Sequence, residues 1–424
     1  MKRILIFLTL IIVSFYFFPL GFNFFPTMNT KMMLAAVGIF IFLWGLINSK
    51  NVAMSSEVFV ATIIACIFTL ICFYAITINN TNDLTYATYV VNMWVWLGGA
   101  YTVCYTMARV HGYISMKLVM NYLIGLCALQ CLMALIIDNS AFVRYLVESN
   151  IAGYEKRSEG GRLYGIGAAV DIAGTRFSAI LSMIAVLLSN DNAIKTNKKQ
   201  IVMYVMMFIF ITVVGSMISR TTNIGAVVAI VYIIYATGEL GNKIKLVNMR
   251  LWSMLIGITM LILLFCIYLY NNVPAAHSLF RFGFEGLINW LETGTWSTKS
   301  TDMLQTMWVF PDSIKTWIIG DGYFVDPNHP GSFYMMTDIG YCRFIFYCGL
   351  TGLFAFSMLF VYVAFALYRR FPEFKHLFLL LLLLEFIIWS KVATDIFLVF
   401  ALFLCIPMIQ IHHYYRDKKI LREA

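Results

Sequence analysis

The sequence predicts an all-α, polytopic membrane protein of about twelve transmembrane helices, and three observations carry that prediction. Of 424 residues, 61% are hydrophobic and only 12% charged, with a mean hydropathy of +0.82. Runs of about 20 apolar residues, enough to cross a bilayer as a helix, recur along the whole chain. Those runs are continuous rather than alternating. Backbone groups in lipid must be satisfied within the segment, so the runs read as helices and a β-barrel is excluded.

The spans fall near 4–22, 32–48, 57–78, 84–108, 115–138, 167–189, 200–218, 222–238, 250–271, 339–368, 376–390 and 392–411. The start, "MKRILIFLTLIIVSFYFF", looks like a signal peptide, but no small-x-small cleavage site follows, so it reads as the first span. No domain boundary, low-complexity tract or internal repeat interrupts residues 1–424, which read as one integral membrane domain. Cys66, Cys72, Cys104, Cys127, Cys131, Cys266 and Cys405 lie inside apolar runs, so neither a disulfide framework nor a CxxC metal pattern is present.

The net charge of +9 does not point to nucleic acid, because the basic residues sit mainly in short loops between the runs. With a cytoplasmic N-terminus, one side holds Lys2, Arg3, Lys50, Arg109, Lys117, Lys195, Lys198, Lys199, Lys243, Lys245, Arg250, Arg369, Arg370, Lys375, Arg416, Lys418, Lys419 and Arg422. The short loops opposite hold only Lys31, Arg220 and Lys391. The positive-inside rule then places both termini in the cytoplasm. Two longer segments, 139–165 and 272–338, face outward.

Arg220 is the only charged residue from Gln200 to Thr237. That run is too long for one span and right for two, so "SRTT" becomes the tip of a hairpin at the outer surface. Arg220 there either snorkels to lipid headgroups or serves a site. It has company. Arg162 ends the first outer loop between glycines, and Asp171 and Arg176 follow in the first turns of the sixth span. A five-residue spacing keeps Asp171 and Arg176 off one face. The second outer loop supplies His277, Arg281, Glu285, Asp302, Asp326 and His329. Asp338 stands at the start of the next helix, as a possible N-cap, with Arg343 one turn in. The same loop is aromatic, and "SLFRFGFEGLINWLETG" has the composition of an amphipathic helix lying in the interface.

Four arginines (Arg162, Arg176, Arg220, Arg343) thus converge on the outer rim. Guanidinium forks match phosphate oxygens and stay charged. A polyprenyl-diphosphate sugar is the matching substrate: its tail suits the bilayer, its head is anionic, and fixed positive charge stabilises the departing diphosphate. No carboxylate cluster of the DxD kind is present, so activation by arginine without metal or other cofactor is the simpler expectation.

Three segments in order, "GRLYGIGAAVDIAG", "GSMISRTTNIGAVVAIVYII" and "WIIGDGYF…TDIGYCRFIFYCGLTGLF", resemble the O-antigen polymerase and O-antigen ligase superfamily of bacterial envelope glycosyltransferases. The likeness covers roughly residues 155–365 and the topology beyond. It implies a GT-C-like fold in the bacterial inner membrane. It also implies transfer of a glycan from an undecaprenyl-diphosphate-linked donor at the periplasmic face, with Arg162 and Arg220 on the diphosphate. A histidine or carboxylate of the large loop would activate the acceptor. Two departures stand out: "IGAAVDIAG" where the family often has Asn-Pro-Asn, and Lys299 where an arginine is expected.

"TDIGY" followed by "YCGLTG" looks closer to the polymerase branch, which joins lipid-linked repeat units alongside a flippase and a chain-length regulator. The alternatives are the ligase, which passes polymer to lipid A core, and a flippase, for which Glu385 would be the intramembrane acid. Among His277, His329, Asp302, Asp326 and Asp338, the expected base is His329, in the turn-rich "DPNHPGSF", because an unperturbed histidine titrates near neutral pH. Asp338, held ionised by Arg343, is expected to orient the acceptor.

Overall fold

The computed structural model of the chain describes residues 2–48, 54–154, 161–238, 246–329 and 331–423. Lys50, Lys243 and Lys245, and the side chains of Arg250, Arg416, Lys418, Lys419 and Arg422, lie outside the described residues. The first half runs α1 (Lys2–Phe17), β1 (Gly21–Phe22), β2 (Phe25–Asn29), α2 (Thr30–Asn48), α3 (Ser56–Asn79), α4 (Tyr89–His111), α5 (Met116–Asn139), α6 (Ala141–Asn150), α7 (Val170–Asn190), α8 (Asn192–Thr196), α9 (Lys198–Ile218) and α10 (Thr221–Thr237). The second half runs α11 (Leu246–Asn272), α12 (Pro274–Gly283), α13 (Glu285–Thr293), α14 (Lys299–Thr306), α15 (Ile314–Ile318), α16 (Gly340–Arg370), α17 (Lys375–Trp389) and α18 (Phe397–Glu423).

A helix stands at each of the twelve segments expected from the sequence. Seven of them (α2, α3, α5, α7, α9, α11 and α16) are long and apolar enough to cross a membrane, while α10 and the Phe397–Gln410 part of α18 are shorter apolar helices. The architecture is that of an all-α, multi-pass membrane protein.

Several boundaries differ from expectation, α18 running on to Glu423 rather than 411, and three of them have an identifiable cause. α1 stops at Phe17 rather than 22, because Pro19 lacks the N–H that would continue it. The chain turns instead into the β1–β2 hairpin, closed by Thr30 N–H on the Leu20 carbonyl at 2.9 Å and bridged through Phe22 to Ile151 of the first long loop. α4 starts at Tyr89 rather than 84, since the Tyr347 hydroxyl accepts the Tyr86 and Ala87 N–H groups and holds a turn there. α18 starts at Phe397 rather than 392, where the Asp395 carboxylate accepts the Phe397 N–H at 2.9 Å. The long segments are not plain loops: 139–165 contains α6 and 272–338 contains α12 to α15.

α7 is buried along almost its whole length and is the central post, whereas in the described part of α11 only Leu251 is fully buried. α7 and α10 approach closely because Gly225 lies against Ser178, where a Cβ would overlap the Ser178 backbone. Contacts sort the connections into two ends. At one, Lys117 pairs with Asp191 at 2.6 Å, and Tyr232 joins Asn190 and His376. At the other, the α9–α10 tip meets α13, and the α17–α18 turn meets α7. These sets match the sidedness expected from Lys and Arg. Cysteines replacing Asn150 and Lys299 are expected to react with an impermeant thiol reagent on whole cells, and cysteines replacing Thr196 and Lys198 only after lysis. Labelling of the second pair on intact cells would contradict the orientation.

α16 is broken at Gly349, whose φ of 66° and ψ of −175° are not helical. The break frees the carbonyls of Phe346 and Tyr347, which accept the N–H groups of Asp321 at 2.6 Å and Gly322 at 3.1 Å. The "IGDG" and "YCGLTG" segments are thereby one unit, with the Ile318 carbonyl where a Cβ on Gly349 would sit. Gly349→Ala combines a left-handed backbone, at about 1–3 kcal/mol, with that overlap. It is expected to lower the thermal midpoint of the purified protein by several degrees, read by detergent-phase thermal unfolding, and to weaken docking of α15.

Candidate functional site

The end of α7 and α10 that carries the Ser219–Arg220 tip is built around three linked clusters. The first explains the isolated arginine of the hairpin. Arg220 precedes α10, and its Nη1 lies 2.7 Å from Glu285 Oε2. Its Nε donates to the Phe282 carbonyl and its Nη1 to Ser300 Oγ, both at 3.0 Å. Asn223 adds a bond to the Gly283 carbonyl, so the hairpin tip carries the junction of α12 and α13. Arg162 is exposed, and the Leu163 N–H holds its segment on the Met217 carbonyl. Its guanidinium carbon is 5.0 Å from the Phe282 ring centre, and that of Arg220 is 4.5 Å from it. Two cations therefore share one phenyl ring. Burial disfavours the charged form of Arg220; Glu285 counters this and the neighbouring Arg162 adds to it.

The second cluster sits beside it. Asp171 Oδ1 accepts from Thr221 Oγ1 at 2.6 Å, Lys391 Nζ at 2.8 Å and Ser219 Oγ at 3.1 Å. Lys391 also donates to Thr221 Oγ1 at 2.7 Å. Three chain regions are pinned by one carboxylate oxygen, and Asp171 still keeps 35% of its side chain accessible. It is therefore not sealed into the bundle.

The third cluster lies at the start of α16. Asp338 is half-buried and is not the expected N-cap: the cap position is Ile339, and the Asp338 carboxylate has no hydrogen-bond partner among the described residues. Burial raises its pKa above the usual carboxylate range, and this outweighs the opposing charge of Arg343. The expectation that Arg343 would dominate is thus corrected: loss of hydration wins where the carboxylate gains no hydrogen bond. Arg343 is only 4% exposed. Its guanidinium lies between Phe324 and Phe333, 3.6 and 3.4 Å from the ring centres, and its Nε and Nη2 have no partner. The Asp83 carboxylate positions this sandwich by accepting the N–H groups of Phe324 and Val325 at 2.7 and 3.0 Å. A desolvated cation–π contact supplies about 2 kcal/mol, against several kcal/mol for burying the ion. The Nε–Nη2 edge is buried without a hydrogen-bond partner among the described residues, so part of that cost stays uncompensated.

The candidates from the sequence thus separate. Arg162 and Arg220 come together across Phe282. Asp338 and Arg343 are electrostatic neighbours, and Asp171 acts on both Arg220 and Asp338. Arg176 does not join Asp171. It is 7% exposed in the wall of α7, facing the rings of Phe17 and Phe18, with its Nε unpartnered. His329 stands apart at a turn, its side chain 72% exposed, with Asp326 as its only side-chain partner among the described residues, at 3.5 Å. Sequence reasoning missed the Lys391–Asp171 link and Phe282, and saw Phe324 and Phe333 only as members of an aromatic loop. Both ionic residues were visible, but nothing in their spacing joins positions 220 residues apart. No family model, curated protein or solved structure matches the chain.

Proposed function

We propose that the chain is a polysaccharide polymerase of the bacterial inner membrane, with a GT-C-like fold and an active site at the periplasmic face. It would transfer glycan from an undecaprenyl-diphosphate-linked donor to a lipid-linked repeat unit. The observation that carries this reading is the meeting of Arg162, Arg220, Asp171, Lys391, Asp338 and Arg343 at one end of an apolar bundle.

Arg162 and Arg220 hold the donor diphosphate over Phe282. Arg220 exchanges Glu285 for phosphate, the carboxylate standing in this structure where the anion would lie. Arg343 and Arg176 add positive charge from the walls. The acceptor hydroxyl attacks the anomeric carbon, the bond from that carbon to the diphosphate oxygen breaks, and the proton passes to a carboxylate. Undecaprenyl diphosphate leaves as an anion stabilised by the arginines. Asp338 suits the proton acceptor better than His329, since it is partly desolvated, without a hydrogen-bond partner among the described residues, and among the charged groups of this cluster. This activity needs no bound cofactor; its partners are the lipid-linked donor and acceptor, the surrounding bilayer, and the flippase and chain-length regulator of the same route.

Deletion of the gene tests the reading. Surface polysaccharide reduced to single-repeat caps is the expected result. Accumulated unattached polymer would assign the chain as the ligase, and lipid-linked units trapped on the inner leaflet would assign it as the flippase.

A further inference from the structure

Asp171 is held in a way that leaves half of it idle. All three side-chain bonds it receives go to Oδ1, and none goes to Oδ2. Nor does its carboxylate cap its own helix: α7 receives no side-chain cap bond, and the donors come from α9–α10 and the α17–α18 turn. A carboxylate wanted only as a counter-ion for Lys391 would not need to be clamped by two further hydroxyls with its second oxygen left accessible. Asp338, within its electrostatic reach, is likewise without a hydrogen-bond partner. Arg343, 4% exposed and without a partner at Nε and Nη2 among the described residues, adds positive charge next to Asp338. This cluster therefore offers two carboxylate acceptors beside the cations of Lys391 and Arg343. The matching ligand chemistry is a group rich in hydroxyl donors next to an anion, as in a sugar attached to a phosphate.

We propose that Asp171 binds the acceptor sugar, its Oδ2 accepting a hydroxyl adjacent to the one that attacks while Lys391, Thr221 and Ser219 hold the carboxylate in place. This rests on the polymerase reading and deepens it: Asp338 takes the proton, and Asp171 fixes which hydroxyl is presented. Lys391 is a positioning residue, acting through Asp171.

The test uses the full chain in liposomes, with a lipid-linked polymer as donor and a single repeat unit carrying a fluorescent tag in place of its lipid as acceptor. Asp171→Asn should raise the acceptor KM about 10- to 100-fold, the range for losing a hydrogen bond to a charged group, and leave the donor KM unchanged. The double variant Asp171→Asn, Lys391→Met removes the ion pair as a unit. It should remain deficient if Asp171 touches the sugar, and recover if Asp171 serves only to neutralise Lys391; recovery would overturn the inference. Titration of the tagged unit into purified protein separates the two claims. Binding that depends on Asp171 without turnover by the unmodified chain would end the polymerase reading and keep the sugar site. Turnover with an unchanged acceptor KM in Asp171→Asn would end the sugar site alone. No binding and no turnover in the unmodified chain would end both.

Discussion

Arg220→Ala is expected to cut polymer formation about 100-fold or more at normal protein levels, the scale of losing one aimed donor to a developing anion. The structure gives this residue two jobs, and the prediction separates them. Arg220 ties the α12–α13 junction to the hairpin tip through Glu285, Phe282 and Ser300. It also forms, with Arg162, a pair of cations on Phe282. Removing it leaves Glu285 unpaired in a largely buried setting, which by itself loosens the loop. The double variant Arg220→Ala, Glu285→Ala removes that strain, and under the proposed mechanism it stays defective. Arg220→Lys keeps charge without the fork, so partial activity is expected. Polymer of normal length and amount from the double variant would reduce Arg220 to a loop anchor.

Asp338→Asn is the other large effect, with turnover expected to fall about 10²- to 10⁴-fold, the usual contribution of a general base. The pH dependence follows from the raised pKa of Asp338. Only the ionised form accepts a proton, so turnover falls as the pH drops through that pKa, and this acid limb lies above the ordinary carboxylate range. In Asp338→Asn the residual rate loses the limb. His329→Ala is expected to keep most of its turnover, since its side chain is 72% exposed and, among the described residues, pairs only with Asp326. The opposite pattern, with His329→Ala inactive and Asp338→Asn near normal, would return the base to His329.

The spans were legible because apolar length and continuity are local properties. Their errors sit where a group outside the apolar pattern intervenes: the Tyr347 hydroxyl, far off in sequence, delays α4, and nearby Pro19, with the Ile151 bridge beyond it, ends α1. The site was legible as an inventory of charged residues on one expected side. It was not legible as geometry. That Arg220 faces Glu285, that Asp171 pairs with Lys391 rather than Arg176, and that Arg343 lies between Phe324 and Phe333 all depend on elements far apart in sequence. The direction of the Asp338 pKa shift was misjudged from charge alone, because a neighbouring arginine was visible in the sequence while the loss of hydration was not.

The measurement closest to the central claim is reconstitution of the purified chain in liposomes with a single lipid-linked repeat unit as the only glycan. The account predicts a ladder of products differing by one repeat, with undecaprenyl diphosphate released in step and the ladder lost in Arg220→Ala. Repeat units that stay single, whether they are moved across the bilayer or transferred only when a lipid A core is supplied, would contradict it.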